Sequence, residues 1–197
     1  MASLEAAKKN LEALGYSVQY FATGAEAAEY LNGKSDGCSV GFGGSMTLKE
    51  IGLDTLLATH NELHWHWTDG PEARKLAKDA QVYICSANGL AETGEIVNID
   101  GMGNRVAAIV YGPQSVIVVA GMNKVVDTLE DAITRARTVA APINKQRFPN
   151  APTPCLVTGS CADCKAPGSI CNQMLITRST RPAGRIKFIL VGEKLGF

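Results

Sequence analysis

The spacing of apolar residues alternates between two patterns in the first half of the chain, and this alternation limits the fold most strongly. Segments with helical spacing, such as the one from Leu4 to Leu14 that stops at Gly15, take turns with short strand-like segments. The predicted strands read YSVQYF, CSVGFGG, ELHWHW and QVYICSA. Strands and helices that take turns along a chain predict a sheet with helices on its faces.

The pattern changes after residue 94. Three apolar runs follow with only short polar turns between them, so we expect neighbouring, mostly antiparallel strands. These runs are GEIVNID, NRVAAIVYG and SVIVVAG. A long helix is predicted from Val125 to a point near Pro142, and the closing GRIKFILVGEKLGF should hold a strand that rejoins the sheet. The sequence thus predicts one α/β domain of mixed sheet over residues 1–197.

Composition and charge exclude several classes of protein. With 197 residues, 46% of them hydrophobic, the chain can bury a core without help from disulfides. The first residues do not resemble a signal peptide, and no run reaches the length of about 18 apolar residues that a membrane span needs. We therefore expect a cytoplasmic protein without membrane insertion. Because the net charge is zero and basic residues are scattered, a small ligand is favoured over nucleic acid.

A glycine turn in GFGGSMTLKE connects a predicted strand to a predicted helix. Thr47 and Glu50 have the spacing of a capping box, so the helix should begin there. Gly43, Gly44, Ser45 and Thr47 are candidate ligand-binding residues, because the glycines would let the backbone approach a ligand and the helix N-terminus would attract a phosphate or carboxylate. The spacing matches neither the dinucleotide-binding fingerprint nor the P-loop, so a plain tight turn is an equal alternative.

The stretch ANGLAETGEIVNIDGMGNR is rich in carboxylates and turn residues. Carboxylates brought together at strand ends can acquire different pKa values, as general acid–base and acyl-transfer chemistry require. The candidate catalytic residues are therefore Glu92, Glu95 and Asp100. Asn104 and Arg105 are candidate ligand-binding residues, unless the segment is only a hairpin turn.

AGMNKVVD forms a further strand-to-helix junction, with Gly121, Asn123 and Lys124 as candidate ligand-binding residues. In the alternative, Asn123 is only a helix cap and Lys124 only a solvated residue. If this junction, the glycine turn and the acidic segment share one edge of the sheet, they would line a common crevice. Open α/β sheets bind their ligands in such a crevice.

Two histidines and two cysteines in the predicted strands could have either a chemical role or only a structural one. His64 and His66 alternate within a predicted strand and could bind metal, although such histidines more often cover a half-exposed face. Cys38 and Cys85 each lie in an apolar strand, where we expect small buried hydrophobic residues.

The remaining four cysteines lie in a segment spanning residues 154–172, the cysteine segment, with the spacing C-x5-C-x2-C-x6-C. They are Cys155, Cys161, Cys164 and Cys171. The segment is rich in Gly, Ser, Pro and Ala, so side-chain burial cannot organise it. Bound metal would supply that folding free energy instead.

Three interpretations of the cysteine segment compete. Disulfides are disfavoured in the cytoplasm. Zinc sites usually contain two close pairs of cysteines, whereas only Cys161 and Cys164 form one here. Iron–sulfur clusters are commonly wrapped by one irregular loop with a single C-x2-C. We therefore predict a [4Fe–4S] cluster held by the four cysteines, with zinc or unliganded thiols as alternatives.

Five stretches together give the chain a resemblance to the LUD family, the lactate-utilization domain typified by lactate utilization protein C. They are GFGGSMTLKEIGL, ETGEIVNIDGMGNRVAAIVYGP, VIVVAGMNKVV, APINKQR and LVGEKLGF. The resemblance implies a three-layer α/β/α fold with a mixed sheet, similar to the NagB/RpiA/CoA-transferase group. It also implies a ligand over Gly43-Gly44-Ser45, beside the acidic residues named above. The cysteine segment resembles a subset of short family members rather than the whole family.

The resemblance further implies a place in a system that oxidises L-lactate to pyruvate, with iron–sulfur oxidoreductase subunits as partners. The leading hypothesis is an iron–sulfur-binding subunit of such a lactate or organic-acid system, with a small anionic ligand. One alternative is a zinc-stabilised enzyme on a CoA-transferase-like or isomerase-like scaffold, acting on a carboxylate, a CoA ester or a sugar phosphate. Another is a non-catalytic assembly or regulatory subunit. A homo-oligomer is compatible with each of them.

Overall fold

A computed structural model describes residues 3–197, which form ten strands and nine α-helices. The strands are β1 (Ser17–Phe21), β2 (Ser39–Phe42), β3 (Glu62–His64), β4 (Val82–Cys85), β5 (Gly89–Ala91), β6 (Ile96–Asp100), β7 (Ser115–Gly121), β8 (Val125–Val126), β9 (Gln173–Thr177) and β10 (Ile186–Val191). The helices are α1 (Leu4–Ala13), α2 (Gly24–Asn32), α3 (Met46–Glu50), α4 (Leu53–Leu57), α5 (Ala73–Asp79), α6 (Asn104–Val110), α7 (Leu129–Arg135), α8 (Ala141–Lys145) and α9 (Pro154–Thr158). A 3-10 helix covers Met122–Lys124, and a π-helical turn covers Ala136–Ala140.

The main sheet has six parallel strands in the order β1-β10-β7-β4-β2-β3. Because side chains alternate along a strand, β7 points Val118 to one face of the sheet and Val119 to the other, and both are buried. Parallel strands buried on both faces are typical of α/β proteins, whose crossover helices cover the sheet.

Each face of the main sheet has its own hydrophobic core. One core contains residues of α1, α5 and α6, represented by Leu11, Ala77 and Ala108. The other contains residues of α2, α3 and α4, of which Leu31 in α2 and Leu53 in α4 are examples. Helices therefore cover both faces, and the predicted three-layer α/β/α architecture is confirmed.

A second sheet has the order β8-β5-β6-β9, in which β6 is antiparallel to both of its neighbours. Helix α7 packs on it through Ala132, next to Val97. Gly89 permits this packing, since a Cβ atom there would lie 2.5 Å from the Ala132 carbonyl oxygen. The antiparallel pairs expected within a single mixed sheet therefore belong to this separate sheet.

Three strands were predicted after residue 94, and one of these predictions is wrong, because the run NRVAAIVYG forms α6. Gly103 precedes the helix with a φ of 81°, and one carboxylate oxygen of Asp100 accepts the N–H groups of Arg105 (2.9 Å) and Val106 (3.2 Å). An acidic side chain that accepts these first N–H groups stabilises the start of a helix. With α6 between them, β6 and β7 enter different sheets and do not pair.

Several other boundaries differ from the prediction. The strand in ELHWHW ends at His64, since the Asp69 carboxylate accepts the Trp65 N–H (2.8 Å) and turns the chain, so the histidines do not alternate on one strand. The predicted long helix begins only after β8 and continues past Pro142. Pro142 lies in the first turn of α8, a position at which proline is tolerated. Strand β9, at the end of the cysteine segment, was not predicted. The last strand, β10, rejoins the sheet as expected.

Within residues 3–197, no helix combines the length and the apolar character needed to cross a membrane.

Candidate functional site

A cavity of about 260 Å³ lies at the carboxyl edge of the parallel sheet. Residues that follow three neighbouring strands line it: Ser45 after β2, Ser86 after β4 and Lys124 after β7. The turn between β6 and α6, the end of α8 with the residues after it, and Phe197 also contribute to the lining. This edge is where open α/β sheets bind their ligands.

The glycine turn takes part in this cavity through Gly44 and Ser45. Gly43 lies against the sheet, where a Cβ atom would come within 3.0 Å of both Cys85 and the Tyr83 hydroxyl, so a larger residue does not fit without a shift. Ser45, rather than the predicted Thr47, caps α3 by accepting the Leu48 N–H (3.3 Å). Thr47 is left free to take part in the network around Lys124.

Lys124 is buried, with only 3% of its surface exposed. Its Nζ donates hydrogen bonds to Thr47 Oγ1 and Ser86 Oγ, each at 2.8 Å. Thr47 donates its own hydroxyl hydrogen to the Leu195 carbonyl (3.2 Å), and Ser86 donates to the Val119 carbonyl (2.6 Å). Both hydroxyl groups therefore act as acceptors toward the lysine.

Burial, followed by the charges of the nearby Arg135 and Arg105 guanidinium groups, lowers the pKa of Lys124 from 10.5 to about 7. Glu50 and Cys85 oppose the shift weakly. Within the described part of the chain, no carboxylate forms an ion pair with this amine. The arrangement favours the neutral amine, because a buried ammonium without a counterion is costly.

Replacing Lys124 by Met is expected to change how stability depends on pH. Between the folded-state pKa of about 7 and the unfolded value of 10.5, the unfolded chain binds the proton more tightly, so wild-type stability rises with pH. From about pH 7 to about pH 9, the wild type should gain about 2 kcal/mol relative to Lys124→Met. Urea unfolding of both proteins at each pH measures this gain. A stability difference that does not change with pH would contradict it.

Arg105 connects the cavity to the second sheet. Its Nη2 donates to Asn88 Oδ1 (2.9 Å) and to the Ile99 carbonyl, and its guanidinium lies 3.9 Å from the Asp100 carboxylate. Arg105 Nε is buried and has no hydrogen-bond partner within residues 3–197. Buried donors of this kind usually have a partner, which here could be a bound ligand.

His66, Arg74 and Arg147 also line the cavity. Burial, followed by the Arg74 charge, lowers the pKa of His66 to about 4, so this imidazole is neutral. Its Nδ1 is buried without a partner among the described residues. Arg147 stacks on the Trp67 ring at 4.1 Å, while the Arg74 side chain has no hydrogen-bond or ion-pair partner within residues 3–197. Both guanidinium groups can therefore bind an anion.

The structure brings together only part of the predicted site. Gly44, Ser45, Asp100, Asn104, Arg105 and Lys124 line the cavity.

Two candidate catalytic residues do not line the cavity. The Glu92 carboxylate accepts the Ser3 N–H, and its carbonyl accepts a hydrogen bond from the Asn10 amide (2.8 Å), which ties it to α1. Glu95 accepts a hydrogen bond from the neighbouring Thr93 hydroxyl. Both flank the tight turn between β5 and β6, so the expectation that Glu95 shares the crevice with Asp100 is wrong.

Gly121 and Asn123 do not line the cavity, but both contact the last residues of the chain. A Cβ atom on Gly121 would lie 2.7 Å from the Glu193 carbonyl oxygen, so only glycine permits this close backbone contact. The Asn123 side chain donates to the Gly196 carbonyl (3.1 Å) and accepts the Leu195 N–H (3.0 Å). These contacts hold the C-terminal residues in the position from which Phe197 reaches the cavity.

The cavity residues that sequence reasoning missed include His66 as a ligand-facing residue, Arg74, Ser86, Asn88 and Arg147. Two signals were available. Ser86 directly follows a predicted strand, as ligand-binding residues of α/β sheets often do. Arg147 belongs to APINKQR, one of the stretches behind the family resemblance. No feature of the sequence around Arg74 distinguishes it from a solvent-exposed helix residue.

The cysteine segment forms part of the cavity wall through Ile170. Next to it, the Asn172 N–H donates to the Asp100 carbonyl, and its side-chain amide donates to the Gly101 carbonyl, each at 2.9 Å. Lys145, which is fully buried, donates to the Gly168 carbonyl (2.9 Å). The segment is thus fixed both to the cavity turn and to α8.

The four cysteines of this segment are free thiols that lie near one another. Burial raises the pKa of the Cys171 thiol, and the neighbouring Cys161, Cys155 and Cys164 raise it further. Four thiolates are the donor set of iron–sulfur clusters and of structural zinc. In residues 3–197, however, no three His, Cys, Asp or Glu side chains are close enough to hold a metal ion as they stand. The donor chemistry thus fits a metal centre, but the present sulfur positions are not those of one.

The parallel sheet and its two helical layers define a three-layer α/β/α protein with a cavity at the carboxyl edge of the sheet. The profile of the LUD domain matches residues 4–191. The chain therefore belongs to the LUD domain family, as the resemblance implied.

One solved structure extends the comparison. The crystal structure of a DUF162 family protein from Deinococcus radiodurans is similar with a TM-score of 0.54 and 13% sequence identity, covering 96% of each chain. At this identity, the similarity concerns the fold alone. No curated protein matches the chain.

Proposed function

We propose that this LUD-domain protein is an iron–sulfur-binding subunit of a cytoplasmic system that oxidises a small 2-hydroxy acid such as lactate. In this proposal the cavity binds the carboxylate of the acid. The observation that carries it is the cationic lining of a cavity whose wall includes the cysteine segment.

The charge of the lining supports an anionic ligand. Arg74, Arg105 and Arg147 contribute three guanidinium groups, whereas Asp100 is the single carboxylate side chain of the lining within residues 3–197. Asp100 is already engaged, since it accepts N–H groups at the start of α6. Guanidinium groups bind carboxylates through paired, charge-assisted hydrogen bonds.

The size of the cavity supports a small ligand. A volume of about 260 Å³ is slightly below the range of roughly 300–1,000 Å³ that is typical of drug-sized ligands. A three-carbon hydroxy acid fits this volume, and the unpartnered His66 Nδ1 and Arg105 Nε offer hydrogen bonds to its oxygen atoms. A whole CoA ester would have to extend beyond the cavity.

The cysteine segment supports a cluster on chemical grounds. Cys155, Cys161, Cys164 and Cys171 would hold it, and a bound cluster would supply one-electron transfer next to the cavity. The buried Lys145 fixes the segment at Gly168, between Cys164 and Cys171, and the Asn172 amide fixes its end. Iron–sulfur oxidoreductase subunits would be the electron partners.

Anaerobic purification of the full chain tests the proposal. We expect a brown protein with about four iron and four acid-labile sulfide per chain. We also expect calorimetry to detect lactate binding. A colourless protein with one zinc per chain would instead favour the zinc-stabilised enzyme, and a protein that binds neither metal nor lactate would contradict the proposal.

A further inference from the structure

The hydrogen bonds around Lys124 determine which form of this side chain the fold accommodates. A neutral primary amine has two hydrogens and one lone pair. The two hydrogens are used on Thr47 Oγ1 and Ser86 Oγ, and both hydroxyl groups direct their own hydrogens to backbone carbonyls. Neither hydroxyl is therefore available as a donor to the nitrogen, and the lone pair of Nζ is left without a hydrogen-bond donor.

The surroundings of Lys124 are cationic. Arg135 and Arg105 are the charged groups that act on it most strongly, Glu50 opposes them weakly, and no carboxylate forms an ion pair with it within the described residues. Arg135 is itself held in place, since its Nε donates to the Asn123 carbonyl (2.8 Å) and its Nη1 to the Asn88 carbonyl. A neutral amine held among fixed cations is a nucleophile, as are the desolvated lysines that react with carbonyl compounds.

We propose that the Lys124 amine forms a reversible imine with the carbonyl carbon of a small 2-oxo acid bound in the cavity. The Nζ lone pair forms the C–N bond, and the carbonyl oxygen leaves as water after protonation. The amine, the carbonyl compound and one proton yield the protonated imine and one water molecule, and no electrons are exchanged. The arginine residues of the lining hold the carboxylate.

This inference rests on the proposed anion binding, and it specifies the ligand further. A 2-oxo acid is the oxidation product of a 2-hydroxy acid, so the cavity would bind substrate and product through the same guanidinium groups. Only the product offers a carbon atom that an amine can attack. Lys124 would thus distinguish the two compounds by a covalent bond rather than by shape.

Reductive trapping tests the inference on the full chain. The protein is incubated with pyruvate and cyanoborohydride near neutral pH, digested, and mapped by mass spectrometry. Because the fraction of neutral amine at Lys124 exceeds that of an exposed lysine by roughly a thousandfold, we expect adducts on Lys124 at least about tenfold above any other lysine. Lactate, which has no carbonyl group next to its carboxylate, should give none.

Two variants complete the test. Lys124→Arg replaces the amine by a guanidinium and should lose the adduct, whereas Lys49→Arg, at an exposed lysine of α3, should trap pyruvate like the wild type. Peptide mapping of the wild type locates the adduct even if Lys124→Arg fails to fold. Lactate binding without trapping at Lys124 would overturn the imine and leave the proposed function intact. Absence of binding by both acids would overturn both proposals.

Discussion

Anaerobically purified protein with Cys161→Ala and Cys164→Ala is expected to retain less than about a tenth of the wild-type iron and acid-labile sulfide. These residues form the only close pair of cysteines in the segment, so their loss leaves two of four sulfur donors. The affected segment has almost no buried apolar side chains, so bound metal would supply folding free energy that side-chain burial does not. Iron and sulfide analysis together with the visible spectrum measures the effect.

Cys38→Ser is the matched control for this experiment. Cys38 is a free, partly buried cysteine whose thiol contacts Asn61 Oδ1 in the core region of β2, away from the cysteine segment. The iron content of the Cys38→Ser variant should equal that of the wild type. Unchanged iron in the Cys161 and Cys164 double variant would show that the cluster, if present, has other ligands.

Replacing Arg74 and Arg147 together by Gln should weaken lactate binding by about 100-fold or more. Each hydrogen bond to a charged group contributes about 1.5–3 kcal/mol, and about 1.4 kcal/mol changes an affinity tenfold. Both side chains line the cavity, and neither forms an ion pair within residues 3–197, so their removal should leave the fold intact. Isothermal calorimetry with lactate measures the affinity.

The same substitution at Arg178, an exposed residue outside the cavity lining, serves as the control. Arg178→Gln changes the net charge by one unit at a distance from the ligand. Its lactate affinity should remain within about twofold of the wild type, since exposed charges are screened by salt. If Arg178→Gln weakened binding as strongly as the double variant, the effect would come from net charge and not from the cavity.

The layered architecture could be predicted from the sequence because parallel strands buried on both faces leave a continuous apolar signal. SVIVVAG in β7 and KFILV in β10 have this signal. The run that became α6 has a similar apolar content, and its outcome depends on Gly103 and the Asp100 carboxylate. Hydrophobic spacing alone does not distinguish a strand from a helix in a run this short.

The site was predictable where its residues follow strands of the main sheet. Ser45 and Lys124 were identified in this way, since the ends of parallel strands meet at one edge. Glu92 and Glu95 were assigned to the same edge because their strand was expected to pair within the main sheet. The second sheet removes them from it. Arg74 and Arg147 reach the cavity from outside the sheet, and only the tertiary fold brings them there.

Ile170 stands in the wall between the cavity and the cysteines, and Asn172 fastens that wall to the turn at Asp100 and Gly101. If cluster assembly shifts this wall, the two binding equilibria become thermodynamically linked. Thermodynamic reciprocity then requires equal effects in both directions. If the cluster raises the affinity of the protein for the acid, the acid raises the affinity for the cluster by the same factor. Iron loss in the presence and absence of the acid would therefore report the same coupling free energy as a pair of titrations.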